Sequence, residues 1–190
     1  MTNNNDNKYP NRLCFNDWAT YNAGAINCKW WPAGTKAADV KEFLAYRSPA
    51  HNDLEIYVAD TDLNWPEVMG KHIPTIISEH CGLDDALNIL ALFDAASDEE
   101  LLKAAYLIHQ GICEEFEGAL ALVDDVHIIE YDYSKYKSEE EALGYYWADN
   151  GCIEVPDHLE NYIDWEHIGR ELILDGHYKK FAGDIYNYTN

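Results

Sequence analysis

The most informative part of this sequence is residues 153–166, which read IEVPDHLENYIDWE. Proline has a fixed φ that suits the first turn of a helix, so Pro156 predicts the start of a short helix. Leu159 and Tyr162 follow three residues apart, which places both on one helix face that we expect to point inward. Asp164 has the short acceptor side chain that caps a further helix. The stretch therefore predicts two short consecutive helices that pack through apolar side chains.

The residues on either side of this stretch predict a mixed α+β region over residues 123–190. Residues 126–133 are expected to form a half-exposed strand, because Ile129, Tyr131 and Tyr133 alternate with Glu130 and Asp132. Ser138 and Glu141 form a capping-box pair, which predicts the start of another helix. Residues 181–188 are expected to form a final strand.

The middle of the chain, residues 66–122, is expected to be helical because apolar residues recur there at intervals of three and four. A capping-box pair, Ser97 and Glu100, marks the start of one of these helices. Helices are predicted over four segments: 74–80, 83–95, 97–110 and 114–121.

The first third of the chain is expected to be β-rich. Short apolar or aromatic runs predict strands, and one segment has helical spacing. The strands are predicted over 13–18, 25–31 and 54–59, the helix over 37–46, and a turn at 22–24. Asn64-Trp65-Pro66 then breaks the pattern. The sequence thus predicts an α+β fold of three small consecutive domains: a β-rich domain over 1–65, a helical acidic domain over 66–122, and an α+β domain over 123–190.

Charge is the outstanding feature of the composition. The chain has 35 acidic and 13 basic residues, a formal net charge of −22. Residues 1–50 carry a net charge of +2, so residues 51–190 carry −24. Aromatic residues make up 13% of the chain, which indicates that the charge lies on a folded body and not on a disordered tail. Such a surface repels nucleic acids and membranes and attracts basic partners.

Motifs for catalysis or cofactor binding are missing from the sequence, which therefore predicts neither an enzyme nor a bound cofactor or metal. It has no Gly-rich phosphate loop, no Gly-x-Ser-x-Gly elbow and no His-Glu-x-x-His helix. Asp60, Asp62 and Asn64 begin like a calcium loop, but Trp65 and Lys71 occupy positions that require glycine and glutamate. The five cysteines lack a Cys-x-x-Cys pair and predict reduced thiols in the cytoplasm.

The carboxylates are more informative together than singly. Duplex DNA has one negative charge per 1.7 Å of axis, so a charge of −24 corresponds to roughly 41 Å of duplex. Carboxylates three or four residues apart on a helix lie about 5–6 Å from one another, near the spacing of phosphates along a strand. We therefore predict an acidic surface that mimics DNA. Its predicted members are Asp84, Asp85, Asp98, Glu99, Glu100, Glu114, Glu115, Glu117, Asp124, Asp125, Glu130, Asp132, Glu139, Glu140 and Glu141.

Two segments resemble the ArdA antirestriction family. Residues 21–24, YNAG, and the CKW at 28–30 are similar to that family's Tyr-Asn-x-Gly segment and the tryptophan after it. Residues 153–166 are similar to its pattern Ile-Pro-x-x-Leu-x-x-Tyr-x-Asp-Tyr-Glu, with Val155 and Trp165 replacing the first isoleucine and the second tyrosine.

The resemblance implies an elongated three-part α+β protein that forms a homodimer through its C-terminal part. It also implies a DNA mimic, encoded on mobile genetic elements, that occupies the DNA site in the DNA-recognition and methyltransferase core of type I restriction-modification enzymes. The slightly basic residues 1–50 depart from that picture. Charge alone leaves an alternative open, an acidic module that blocks another basic protein, such as a nucleoid or single-strand-binding protein.

Overall fold

The structure, a computed structural model, describes residues 9–51, 53–129, 131–156 and 158–189. Contacts divide the chain into two compact units, Met1–Ala121 and Leu122–Asn190. Each unit combines helices with a three-stranded antiparallel sheet, so the predicted α+β fold is confirmed. The division into three domains stays a prediction, and the break expected at residues 64–66 lies within the first unit.

The sheet of the first unit has the strand order β2-β1-β3. Its strands are β1 (Arg12–Asp17), β2 (Lys29–Pro32) and β3 (Ile56–Asp62), and both outer strands pair antiparallel with β1. Helix α1 (Trp18–Asn22) follows β1, and α2 (Ala37–Ala45) follows β2. The predicted strand over 25–31 is therefore present only in its second half.

Helices α3 (Leu83–Ala95), α4 (Asp98–His109) and α5 (Phe116–Leu120) complete the first unit and confirm three of the four predicted middle helices. A single core joins α3 to α2 and the sheet. Its buried residues are Leu13, Phe15, Trp31, Val40, Leu44, Val58, Ile77, Leu83, Ala86 and Leu90. Helix α5 packs against both α3 and α4.

The fourth predicted middle helix, over residues 74–80, is wrong. These residues, all of them described, form an irregular segment with a bend at Ile77 and a turn at Glu79 and His80. The Val58 N–H donates to the Glu79 carbonyl (3.3 Å), which ties the segment to β3, and Ile77 is buried in the core. Three consecutive β-branched residues, 75–77, disfavour a helix because their χ1 rotamers are restricted there. Tertiary packing therefore determines the conformation of this segment.

The second unit has the strand order β4-β6-β5 beside two packed helices. Its elements are β4 (Val126–Ile128), α6 (Glu139–Asp149), α7 (Trp165–Leu174), β5 (Lys179–Phe181) and β6 (Asp184–Tyr188). Short 3₁₀ helices of this unit lie at Val123–Asp125, Tyr133–Lys135 and Glu160–Tyr162. The first unit has 3₁₀ structure at Glu67–His72, interrupted by a kink at Gly70.

Two glycines allow α6 and α7 to pack backbone to backbone. A Cβ atom on Gly144 would overlap the Trp165 carbonyl, and one on Gly169 would overlap the Glu140 carbonyl. Both glycines are buried. Residues 139–141 are therefore held against α7 by main-chain contact.

Strand predictions in the second unit are only partly right. The strand expected over 126–133 ends at Ile128. Residues 181–188 form a turn and one strand of a hairpin, because Ala182 (φ 51°) and Gly183 (φ 94°) reverse the chain between β5 and β6. Positive φ at two consecutive residues gives the turn geometry typical of tight hairpins.

The helix pair expected from residues 153–166 is confirmed only at its second member. Asp164 caps α7, its Oδ1 accepting from the His167 N–H at 3.0 Å. The described residues after Pro156 form turns and the 3₁₀ helix Glu160–Tyr162 instead of an α-helix. Leu159 and Tyr162 are 43% and 84% exposed, so the expectation that they point inward is wrong.

The prediction that all five cysteines are free thiols is also wrong. Cys14 and Cys28 are paired as a disulfide, with their Cα atoms 6.0 Å apart, within the usual range for a disulfide. Cys81, Cys113 and Cys152 are free. The pairing depends on the antiparallel contact between β1 and the approach to β2, which the spacing of cysteines does not reveal.

Candidate functional site: the helical carboxylates of the first unit

Helix α3 presents acidic side chains because its apolar positions face the core. Leu83, Ala86, Leu90 and Phe93 are buried. The remaining face exposes two predicted members of the acidic surface, Asp84 and Asp85, in the first turn. Negative charge is favourable there because the N-terminal end of the helix dipole is positive. Neither carboxylate makes an ion pair within the described part of the chain.

Asp94, near the end of α3, belongs to the same surface although the sequence analysis missed it. Its Oδ1 accepts a hydrogen bond from Asn11 Nδ2 at 2.9 Å. Asp94 and Asp98 both line a groove of about 230 Å³ where α3 ends and α4 begins. Asp94 lies four residues after the buried Leu90, a position that apolar spacing assigns to the core, so the local pattern did not reveal its exposure.

Helix α4 begins with a complete capping box. Ser97 Oγ accepts from the Glu100 N–H (3.3 Å), and the Ser97 N–H donates to Glu100 Oε2 (2.7 Å). The Glu100 carboxylate accepts from the Ser97 N–H and from the Ser97 hydroxyl (2.7 Å), and these two hydrogen bonds, the backbone one first, hold the pKa of Glu100 below its usual value. Glu99 pairs with Lys103 one turn later, with Nζ and Oε1 2.7 Å apart. Asp98 is exposed and makes no ion pair among the described residues.

Helix α5 adds three more exposed carboxylates to the first unit. Phe116 and Ala119 are buried, which turns Glu114, Glu115 and Glu117 outward. Over residues 83–121 the chain has nine acidic residues and one basic residue, Lys103. We call the exposed carboxylates at 84, 85, 94, 98–100, 114, 115 and 117 the helical acidic surface.

The acidic cluster at the start of α6 in the second unit is partly neutralised by two lysines of the same unit. Lys180 Nζ lies 2.7 Å from Glu139 Oε2 and 2.8 Å from Glu140 Oε1. Lys137 Nζ lies 3.4 Å from Glu141 Oε1. The hydrogen bond from Lys180 is the main cause that lowers the pKa of Glu140. Three carboxylates therefore share two lysines, and all three are only half-exposed.

The other predicted carboxylates of the second unit have mixed environments. Asp124 is exposed and Asp125 is half-buried. Asp132 accepts from Ser134 Oγ (2.6 Å) and pairs with Lys135 (3.0 Å), and the Ser134 hydroxyl is the first cause that lowers its pKa. Glu130 lies outside the described residues.

The part of the chain that the structure describes has neither a metal-binding cluster nor a membrane-spanning helix. No group of three or more His, Cys, Asp or Glu side chains could hold a metal ion there. No helix of those residues is long and apolar enough to cross a membrane.

The comparisons with known proteins agree with the motifs at both ends of the chain. The family model described as Antirestriction protein (ArdA) matches residues 14–186. This range includes both the YNAG segment at 21–24 and the stretch 153–166. No curated protein matches the chain. Because the family model covers most of its length, the chain belongs to the ArdA family of antirestriction proteins.

Proposed function

We propose that this antirestriction protein acts as a DNA mimic, with the helical acidic surface standing in for the phosphates of a duplex. The observation that carries the proposal is the concentration of exposed carboxylates over residues 83–121, where Lys103 is the only basic residue. Apart from Asp94, near the end of α3, these carboxylates lie at or near helix starts, where the dipole offsets part of the mutual repulsion. The charge can therefore be held on a rigid framework.

The proposed target is the DNA-binding site in the DNA-recognition and methyltransferase core of a type I restriction-modification enzyme. A site that binds DNA through lysine and arginine gains affinity from neutralising phosphates and is sensitive to salt. Carboxylates at helical spacing offer the same site a fixed array of negative charge. Inhibition would then need occupancy alone, without catalysis or a cofactor. The enzyme would be blocked where it works, in the cytoplasm.

A homodimer through the second unit is part of this proposal, as the family resemblance implies, and the exposed apolar residues of that unit are where we propose the contact. Leu159, Tyr162 and Leu174 are 43%, 84% and 70% exposed. Large exposed apolar side chains are common in surfaces that bind another protein. Sedimentation of the wild type and of Leu174→Glu at several concentrations would test this. Self-association that the substitution weakens would support a dimer, and a monomeric wild type would contradict it.

Competition binding tests the mimic proposal. The protein is titrated into a type I methyltransferase bound to labelled duplex DNA, at low and moderate salt. We expect stoichiometric displacement that weakens as salt rises, because both ligands use the same screened charges. A folded protein that displaces no DNA at either salt concentration would contradict the proposal. The search would then turn to other basic proteins, such as nucleoid or single-strand-binding proteins.

A further inference from the structure

One cation, Lys103 of α4, lies among the carboxylates of the helical acidic surface. Residues 83–121, all of which the structure describes, include no other lysine or arginine. Lys103 Nζ lies 2.7 Å from Glu99 Oε1. Within the described part of the chain, no second lysine or arginine makes an ion pair with a carboxylate of this surface. The position of this single positive charge is therefore of interest for binding.

The fold keeps the ammonium group of Lys103 at this position. Only 16% of the Lys103 side chain is exposed, against 66% for that of Glu99. Lysine buries its methylene chain along apolar surface and keeps its charged end in water. Glu99 precedes Lys103 by four residues, which is the orientation in which such a pair stabilises a helix. Because the methylene chain is largely buried, the charge stays within the acidic surface even when the exposed Glu99 changes its conformation.

The charge of Lys103 acts on more than its ion-pair partner. Hydrogen bonds from Ser97 are the main cause that lowers the pKa of Glu100, and the charge of Lys103 lowers it further. Lys103 thus offsets charge on two of the three carboxylates in the first turn of α4. Since repulsion among like charges destabilises a compact fold, this offset favours folding. It opposes binding to a basic site, because that site is repelled by a cation in the surface it contacts.

We propose that Lys103 limits the affinity of the helical acidic surface for the DNA site of its target, in exchange for a more stable fold. This inference rests on the proposed function and deepens it. Lys103 is a positioning residue in this account, since it acts on the target through Glu99 and Glu100. Removal of its charge should lower stability and raise affinity. A merely structural role predicts instead that both fall, because a smaller folded fraction weakens apparent binding.

Two contributions of opposite sign decide the change in affinity. Without Lys103, Glu99 loses the partner that orders its side chain, and that order must then be supplied on binding. Against this, a cation of the target no longer competes with Lys103 for Glu99, and a charge of the wrong sign leaves the contact surface. The second contribution is the larger, because an ion pair with an exposed partner holds its side chains only weakly. The net change is therefore tighter binding.

Displacement of labelled DNA from a type I methyltransferase tests the inference. Lys103→Met removes the charge and keeps a flexible apolar side chain. At low salt, displacement should need about half as much of this variant as of the wild type, and about one fifth as much of Lys103→Glu. Both gains should shrink at moderate salt. If Lys103→Glu is not folded, Lys103→Met decides the result.

Two control variants separate the position of the charge from its mere presence. Lys103→Arg keeps the charge and should displace DNA as the wild type does. Lys71→Met makes the same change in net charge at an exposed lysine outside the helical acidic surface. It should improve displacement less than Lys103→Met does. Equal gains for the two methionine variants would show that net charge alone sets the affinity, and would overturn the inference.

Thermal unfolding supplies the second measurement. At low salt we expect Lys103→Met to unfold about 2 °C below the wild type, and salt should reduce this difference because it screens the repulsion that Lys103 offsets. Displacement by Lys103→Met that is no stronger than that by Lys103→Arg overturns the inference and leaves the proposed function standing. A difference in unfolding temperature that salt does not reduce would also overturn it. Failure of the wild type to displace DNA would instead remove the proposed function itself.

Discussion

Helices α4 and α6 begin with almost the same sequence, yet their acidic clusters differ in availability. Each helix has a serine N-cap, Ser97 or Ser138, followed by three acidic residues. In α4 all three are exposed, and one of them, Glu99, pairs with Lys103. In α6 all three are half-buried and share two lysines. A run of acidic residues at a helix start therefore does not show whether its charge is available to bind a partner.

The two caps also differ in detail, and one prediction is partly wrong. Glu100 closes the capping box of α4 by accepting from the Ser97 N–H. At α6 the Glu141 N–H donates to Ser138 Oγ (3.1 Å), but the Glu141 carboxylate accepts from the Lys137 N–H (2.7 Å). The predicted capping box at Ser138 is thus only half formed. The attraction of Lys137 for Glu141 accounts for the difference.

The largest effect is expected from Gly169→Ala, which would break the packing that holds the α6 cluster. The new Cβ would overlap the Glu140 carbonyl, and backbone cannot yield as a flexible side chain can. We expect a loss of about 3 kcal/mol in unfolding free energy, as for severe overpacking. Urea unfolding measures it. Gly118→Ala in α5 is the control, since a Cβ there meets nothing within 4 Å and should leave stability equal or slightly higher.

Neutralising the acidic clusters of α4 and α6 in turn tests whether the availability of their charge matters for binding. Asp98→Asn/Glu99→Gln/Glu100→Gln should weaken displacement of DNA from the methyltransferase about tenfold, on the basis of roughly 0.5 kcal/mol for each exposed charge. Glu139→Gln/Glu140→Gln/Glu141→Gln should weaken it about twofold, because Lys180 and Lys137 already offset those charges. Titrations at one salt concentration compare the two. An equal loss for both triple variants would show that internal pairing does not decide which carboxylates act.

The N-caps of α4 and α6 can be compared by measuring the unfolding free energy of variants that lack the serine side chain. Ser97→Ala removes the acceptor for the Glu100 N–H and the hydroxyl that donates to the Glu100 carboxylate, while the backbone N–H of residue 97 still donates to it, so we expect a loss of about 1 kcal/mol. Ser138→Ala removes a single acceptor and should cost about half as much. Denaturant unfolding of both variants measures the difference. A larger loss at Ser138 would contradict the assignment of the complete capping box to α4.

The smallest expected effect is on the pH dependence of stability. The pairing with Lys180 lowers the pKa of Glu140 in the folded protein below its ordinary value of 4.5. A lowered carboxyl pKa contributes stability that is fully present above pH 4.5 and is lost as pH falls through the folded pKa. The difference in unfolding free energy between wild type and Glu140→Gln should therefore shrink as pH falls from 5 towards 3. A difference that grows over this range would contradict the ion pair.

Local signals in the sequence were sufficient to predict the bounds of some elements. The bounds of α3 and the cap at Ser97 follow from apolar spacing and from a pair of residues three positions apart. Two features that decide which charges of the chain are available could not be predicted from local patterns. Lys180 reaches Glu140 across forty residues, and Asp17 is hidden by hydrogen bonds from Ser48, which is thirty-one residues away. Both depend on tertiary contacts, which change the availability of a charge without changing the local pattern.

The most direct test of the account is whether this protein and DNA exclude each other from one site. Binding of labelled duplex DNA to a type I methyltransferase is measured at several fixed concentrations of the protein. A DNA mimic predicts that the apparent Kd for DNA rises in proportion to the protein concentration, while saturating DNA restores full binding. A plateau in the apparent Kd, or a complex that contains enzyme, DNA and this protein together, would contradict occupancy of the DNA site.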